Sequence, residues 1–173
     1  YTIYGGLSAI AWTDFIQLGV LIIGGISVVW LGLDEISIKY DENDLSGGFS
    51  KLLLSQADKF HTILPATHDE LPWTGVFLGG LWIAALSYWG CNQYIIQRAL
   101  AAKNLKEAQY GLLFASVLSI IISIIIVFPG LIASELYGNK ITARDEAFPF
   151  LIRELLPRGY SGLVIAALIA AII

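Results

Sequence analysis

Gly79-Gly80-Leu81-Trp82-Ile83-Ala84-Ala85-Leu86-Ser87-Tyr88-Trp89-Gly90-Cys91-Asn92-Gln93-Tyr94-Ile95-Ile96-Gln97-Arg98 begins as a membrane helix does and then departs from one. Small and apolar residues run to Leu86; Ser87, Tyr88, Trp89, Gly90, Asn92, Gln93 and Tyr94 then arrive together. Hydrocarbon offers amides and hydroxyls no partner, so these groups must face protein, water or a ligand. Gly90 among them gives the backbone a place to open. The stretch predicts a broken or pivoting helix that carries a substrate platform.

The rest of the chain fits a membrane setting. Of its 173 residues 57% are hydrophobic and 14% charged, less charge than a soluble domain carries. We expect an all-α, multi-pass membrane protein embedded in the lipid bilayer. Apolar runs that can span it, at about 20 residues each, lie at 9–33, 73–96, 110–134 and, cut short, 159–173. The chain has no Met and ends in an apolar run at Ile173, so an internal piece of a longer protein is expected, with no signal peptide.

Arg98, Lys103 and Lys106 crowd the short link 97–109, which places it in the cytoplasm and the acidic connections 34–72 and 135–158 outside. Phe49, Leu52, Leu53, Phe60 and Leu64 recur at roughly helical spacing and suggest a short interfacial helix. Phe148 to Leu156 reads as an amphipathic helix closed by Pro157, with Thr142 and Asp145 resembling a capping box before it. Pro129-Gly130 marks a kink.

Several function classes drop out. No GxSxG, HExxH or Walker sequence is present, so no enzyme is expected. No basic patch with interleaved aromatics suggests nucleic acid. The single Cys91 excludes an internal disulfide. Asp41 to Asn43 lacks the glycine and distal glutamate of a calcium loop, and His61 and His68 lack zinc-site partners.

The candidates that remain are few. Asp14, just inside the first span, is either a snorkelling end residue or part of a cation site. Tyr88 and Trp89 lie deeper than an interfacial aromatic belt requires, and their faces suit sugar rings or cations. Ser119 and Ser123 share a helix face, either bonding back to the preceding turn or lining a polar path.

Tyr4-Gly5-Gly6-Leu7-Ser8-Ala9 with Trp12-Thr13-Asp14-Phe15-Ile16-Gln17, and Tyr88 through Arg98 followed by Ala101-Ala102-Lys103, resemble the sodium/solute symporter family. Phe148-Pro149, Leu155-Leu156-Pro157 and Gly162-Leu163-Val164 extend the resemblance, which is nearest the bacterial sodium/sugar branch. It implies core helices five to eight of a ten-helix inverted-repeat transporter, with sodium as coupling ion. The remaining helices of the full-length transporter are then partners. The expected location is a plasma membrane, or the inner membrane in a bacterium.

By the same resemblance Tyr88 is the platform and inner gate, and Trp89 lines the solute site with Ser87, Asn92 and Ser119 as further candidates. Asp14 matches a sodium-pathway aspartate and Ala171 a sodium-ligating carbonyl, in a site this chain leaves incomplete. Two positions depart from the sugar branch. Ala85 replaces an asparagine or threonine, and Ser119 replaces a sugar-binding lysine. The implied activity is alternating-access symport of a small polar, sugar-like solute. An amino-acid, carboxylate or other anion symporter, or a non-concentrating sensor or channel, is the alternative.

Overall fold

The computed structural model describes residues 2–42, 44–61, 63–68, 71–141 and 144–172, and among them regular structure is wholly helical. The helices are α1 (Thr2–Lys39), α2 (Leu45–Ser55), α3 (Trp73–Phe77), α4 (Leu81–Leu86), α5 (Gln93–Leu100), α6 (Leu105–Tyr137), α7 (Ala147–Leu155) and α8 (Arg158–Ile172). Among the described residues three stretches are long and apolar enough to cross a membrane: Ser8–Lys39, Trp73–Cys91 and Leu105–Tyr137. The chain divides into two compact units, Tyr1–Ala57 with Ile122–Ile173, and Asp58–Ile121.

In the first unit α1 is the element on which the others pack. Its helix breaks at Gly6, whose φ of 57° favours a residue without Cβ. From there it runs past Leu33 through Asp34 and Glu35 to Lys39. The continuation is amphipathic: Asp34 and Glu35 are exposed, while Ile36 and Ser37 are buried. Glycines let neighbours close in. A Cβ at Gly24 would lie 2.7 Å from Val164 Cγ2 of α8, and one at Gly25 would land on Ile125 Cγ2 of α6. A Cβ at Gly32 would lie 2.7 Å from Ile132 Cγ2. The pairs 25/125 and 32/132 advance together, so α1 and α6 run parallel here. Against α8, Gly24 meets Val164 and Ser27 meets Tyr160, so α8 is antiparallel to α1.

A tight turn follows α1. Asp41 takes a left-handed φ of 57°, and Glu42 N–H donates to Ser37 O at 2.9 Å. The buried Ser37 hydroxyl shares its proton between Leu33 O and Asp44 O, each at 3.0 Å. The chain thus returns as α2, whose Gly48 meets Ser37 and whose Leu52 is fully buried. The apolar periodicity therefore marks a helix docked on α1; Phe60 falls in a separate 3-10 turn, Ala57–Phe60.

A carboxylate fastens these ends. Glu135, near the end of α6, accepts from Lys39 Nζ (3.0 Å) and Tyr40 OH (2.6 Å) on Oε1 and from Gln56 Nε2 (3.0 Å) on Oε2. Lys39 also donates to the Glu135 carbonyl at 2.9 Å. The hydrogen bond it donates to this carboxylate holds the Tyr40 phenol above the usual tyrosine range, with burial adding to the effect. The Glu135 side chain is 8% exposed, so truncation would leave three donors around an empty position. Glu135→Ala is expected to cost about 2 kcal/mol of stability, discounted for the solvent around Lys39. Thermal unfolding in detergent measures it, with Glu135→Gln retaining more of the stability than alanine.

Two expectations lie close by. The buried Pro129 lies inside α6, which continues past it to Tyr137. Thr142 of the suggested capping box lies outside the described residues, and Asp145 sits in a 3-10 turn, Arg144–Glu146, that leads into α7. α7 buries Leu151 and Ile152 and ends at Leu156 in extended geometry. Pro157 then opens α8, its carbonyl accepting from Ser161 N–H at 2.9 Å.

Candidate functional site

The second unit holds the stretch with the polar cluster, and the structure breaks it twice. α3 ends at Phe77 and α4 resumes at Leu81, past Gly79-Gly80. A single π turn, Ser87–Cys91, follows α4, and the chain then leaves helical geometry at Asn92 (φ −73°, ψ 118°). The break therefore falls at Asn92, two residues beyond the glycine expected to open, and Gly90 stays inside the π turn. The cause is a cap. Asn92 Oδ1 accepts from Tyr94 N–H at 3.0 Å, supplying one of the acceptors a new helix start lacks. π turns widen a helix by one residue and recur at functional sites.

The π turn presents Tyr88 and Trp89 together. Their rings meet edge to face, centroids 5.5 Å apart and planes at 88°. Each keeps more than half of its surface open, 56% and 58%, so one ring braces the other while a face of each stays available. α5 then places Tyr94 and Arg98 one turn apart, with the guanidinium 4.8 Å from the Tyr94 ring centroid.

The chain reverses over Ala101 to Asn104. Asn104 caps α6 by accepting from Glu107 N–H at 2.9 Å. Ala108, Gly111 and Ala115 line one face of α6, and their small size leaves a cavity of about 510 Å³. Tyr88, Trp89, Tyr94, Arg98 and Glu107 are the aromatic and charged groups in its wall. A volume of that order accommodates a small solute. The wall combines ring faces, two phenols, an indole N–H, a cation and an anion, a set that can stack on a flat apolar face and hydrogen-bond hydroxyls at its edge.

Of the residues singled out in the sequence, the structure brings Tyr88 and Trp89 into one cavity. Ser87 and Asn92 sit on the same segment but not in its wall. Asn92 instead commits its carbonyl oxygen to the cap. Ser119 lies one turn beyond the lining residue Ala115, and its hydroxyl donates to Ala115 O at 2.9 Å, the back-bonded arrangement. Asp14 is half-buried on α1, and Ala171 is exposed near the end of α8. Those two helices pack on each other within the first unit. Tyr94, Arg98 and Glu107 were not singled out as site residues. The i, i+4 spacing of Tyr94 and Arg98 was the signal that could have marked the first two.

A family model described as "Sodium:solute symporter family" matches residues 1–173. The chain is 38% identical over 192 residues to the "Sodium/glucose cotransporter" of Vibrio parahaemolyticus, covering 100% of this chain and 35% of that protein. It is 35% identical over 196 residues to "Sodium/myo-inositol cotransporter 2" of Bos taurus, covering 99% and 29%. To "Sodium/glucose cotransporter 4" of Danio rerio it is 30% identical over 196 residues, covering 99% and 30%. The chain thus spans about a third of the length of the curated relatives it matches.

Proposed function

The chain belongs to the sodium:solute symporter family, and from that premise we propose that the transporter containing it couples sodium entry to uptake of a neutral polyhydroxylated solute, a sugar or polyol. The carrying observation is the right-angled Tyr88–Trp89 pair in an open cavity, immediately before the helix break at Asn92. Tyr88 is the platform and inner gate, and Trp89 braces it. Breaks of this kind are where transporters of the inverted-repeat class bind solute, and the ten-helix core is the proposed setting. Asp14 and the Ala171 carbonyl are proposed to serve the sodium path, completed by helices outside this chain.

The cavity's charge supports a neutral solute over an anion. Arg98 alone would favour carboxylates, but Glu107 in the same wall offsets it. Relatives named for glucose and for myo-inositol both carry rings bearing several hydroxyls and no charge. Ala85 and Ser119 supply little of the hydrogen bonding expected for one particular hexose, which fits a different sugar or a polyol.

In this cycle sodium stabilises the outward-open state that binds solute, a difference in affinity between two conformations. Multi-pass placement in the plasma membrane, or a bacterial inner membrane, follows from the coupling. Uptake into vesicles carrying the full-length protein is expected to concentrate solute with external sodium and to collapse when choline replaces it. Equal uptake in choline would sink the coupling. Equilibration without accumulation would identify a channel or sensor.

A further inference from the structure

α8 carries Ala171, and something must fix the rotation of α8 on α1 if that carbonyl is to meet an ion. Within this interface Ser27 Oγ of α1 lies 3.1 Å from the Tyr160 hydroxyl of α8. Ser27 Oγ also lies 2.8 Å from Ile23 O, one turn back. A serine hydroxyl has one proton, and the Ile23 carbonyl can only accept. With the serine O–H given to Ile23 O at the shorter distance, the tyrosine O–H is the donor to Ser27 Oγ.

The geometry continues along α8. Val164, one turn on, is fully buried against Gly24, and Ala167, two turns on, is buried as well. Ala171 follows eleven positions after Tyr160, about 20° from the same face after three turns and about 16 Å along the axis. Apolar knobs such as Val164 tolerate small rotations, whereas a hydrogen bond to a hydroxyl already committed to Ile23 does not.

We propose that the Tyr160–Ser27 bond is a positioning latch that sets the rotation of α8, and through it the place of the Ala171 carbonyl on the sodium path. This rests on the reading of Ala171 given above. Neither residue touches the ion; both act through α8.

In the full-length transporter, Tyr160→Phe removes the donor and is expected to raise the sodium concentration for half-maximal uptake about fivefold. The solute concentration for half-maximal uptake at saturating sodium should stay as in the wild type. Ser27→Ala should shift sodium dependence further, because it leaves the tyrosine O–H facing an apolar interface. The double variant should match Tyr160→Phe alone, and Ser27→Thr should recover the wild-type value. An unchanged sodium requirement in Tyr160→Phe, or single effects that simply add, overturns the latch while leaving sodium symport standing. Wild-type uptake indifferent to sodium fails the functional reading itself, and the latch with it.

Discussion

Tyr88→Ala should lower solute accumulation by the full-length transporter by about 100-fold or more, with its amount in the membrane unchanged. The side chain is more than half exposed in the cavity wall, so folding draws little on its burial. Its ring supplies the larger part of a stacking face for the solute, and an aromatic contact with its buried area is worth several kcal/mol in total, of which a few suffice for that loss. Trp89 adds to the effect. It rests edge-on against Tyr88 at 5.5 Å, and without that brace its indole is free to turn away. Truncating both rings should therefore cost much less than the sum of the single losses. Tyr88→Phe keeps the stacking face and the brace, and should retain most of the uptake. Tracer uptake normalised to membrane abundance decides it: wild-type accumulation in Tyr88→Ala removes this residue from the site.

The membrane class was legible because hydrocarbon imposes one requirement on sequence, long apolar helices. The irregular helix was legible for the complementary reason: Ser87, Asn92 and Gln93 have no place against lipid. Its break point was not. Glycine permits an open backbone without demanding one, and Gly90 stays in the π turn, whereas Asn92 supplies the acceptor that starts α5. Local chemistry chose between two permissive sites.

Partners far apart in the chain were hidden altogether. Glu135 gathers donors from residues 39, 40 and 56, and no periodicity in the sequence links those positions. Glu107 lies in the basic link 97–109 and carries no site signal of its own. It enters the cavity wall because the chain reverses within Ala101 to Asn104 and three small residues of α6 leave room. Ser119 shows the opposite limit. The resemblance offers it as a solute contact, but a serine within a helix can also bond to the preceding turn, and this hydroxyl donates to Ala115 O. The charged end of α1 was also misleading as a pattern, since Asp34 and Glu35 occupy the outer face of a helix whose inner face, Ile36 and Ser37, is buried.

Gly25→Leu should prevent the first unit from packing, and the transporter should be lost from the membrane or extracted as aggregate. In lipid, apolar surface gives no hydrophobic drive between helices, so close van der Waals contact carries more of the association. At Gly25 the contact is already complete. Even the first carbon of a side chain would land on Ile125 Cγ2 of α6, and Ile125 is itself buried. Because α1 also holds α8 through Gly24 and meets α6 again at Gly32, moving one partner away strains the other contacts. Overpacking of this kind costs about 1–3 kcal/mol for small additions. Gly25→Ala should sit in that range and Gly25→Leu beyond it. The decisive comparison is a compensating change. Ile125→Ala removes the atoms that a Cβ at position 25 would strike, so Gly25→Ala with Ile125→Ala should be more stable than Gly25→Ala alone when unfolded in detergent. If the second substitution only adds to the damage, the clash with Ile125 is not the reason Gly25 is needed, and the parallel packing of α1 on α6 must be redrawn.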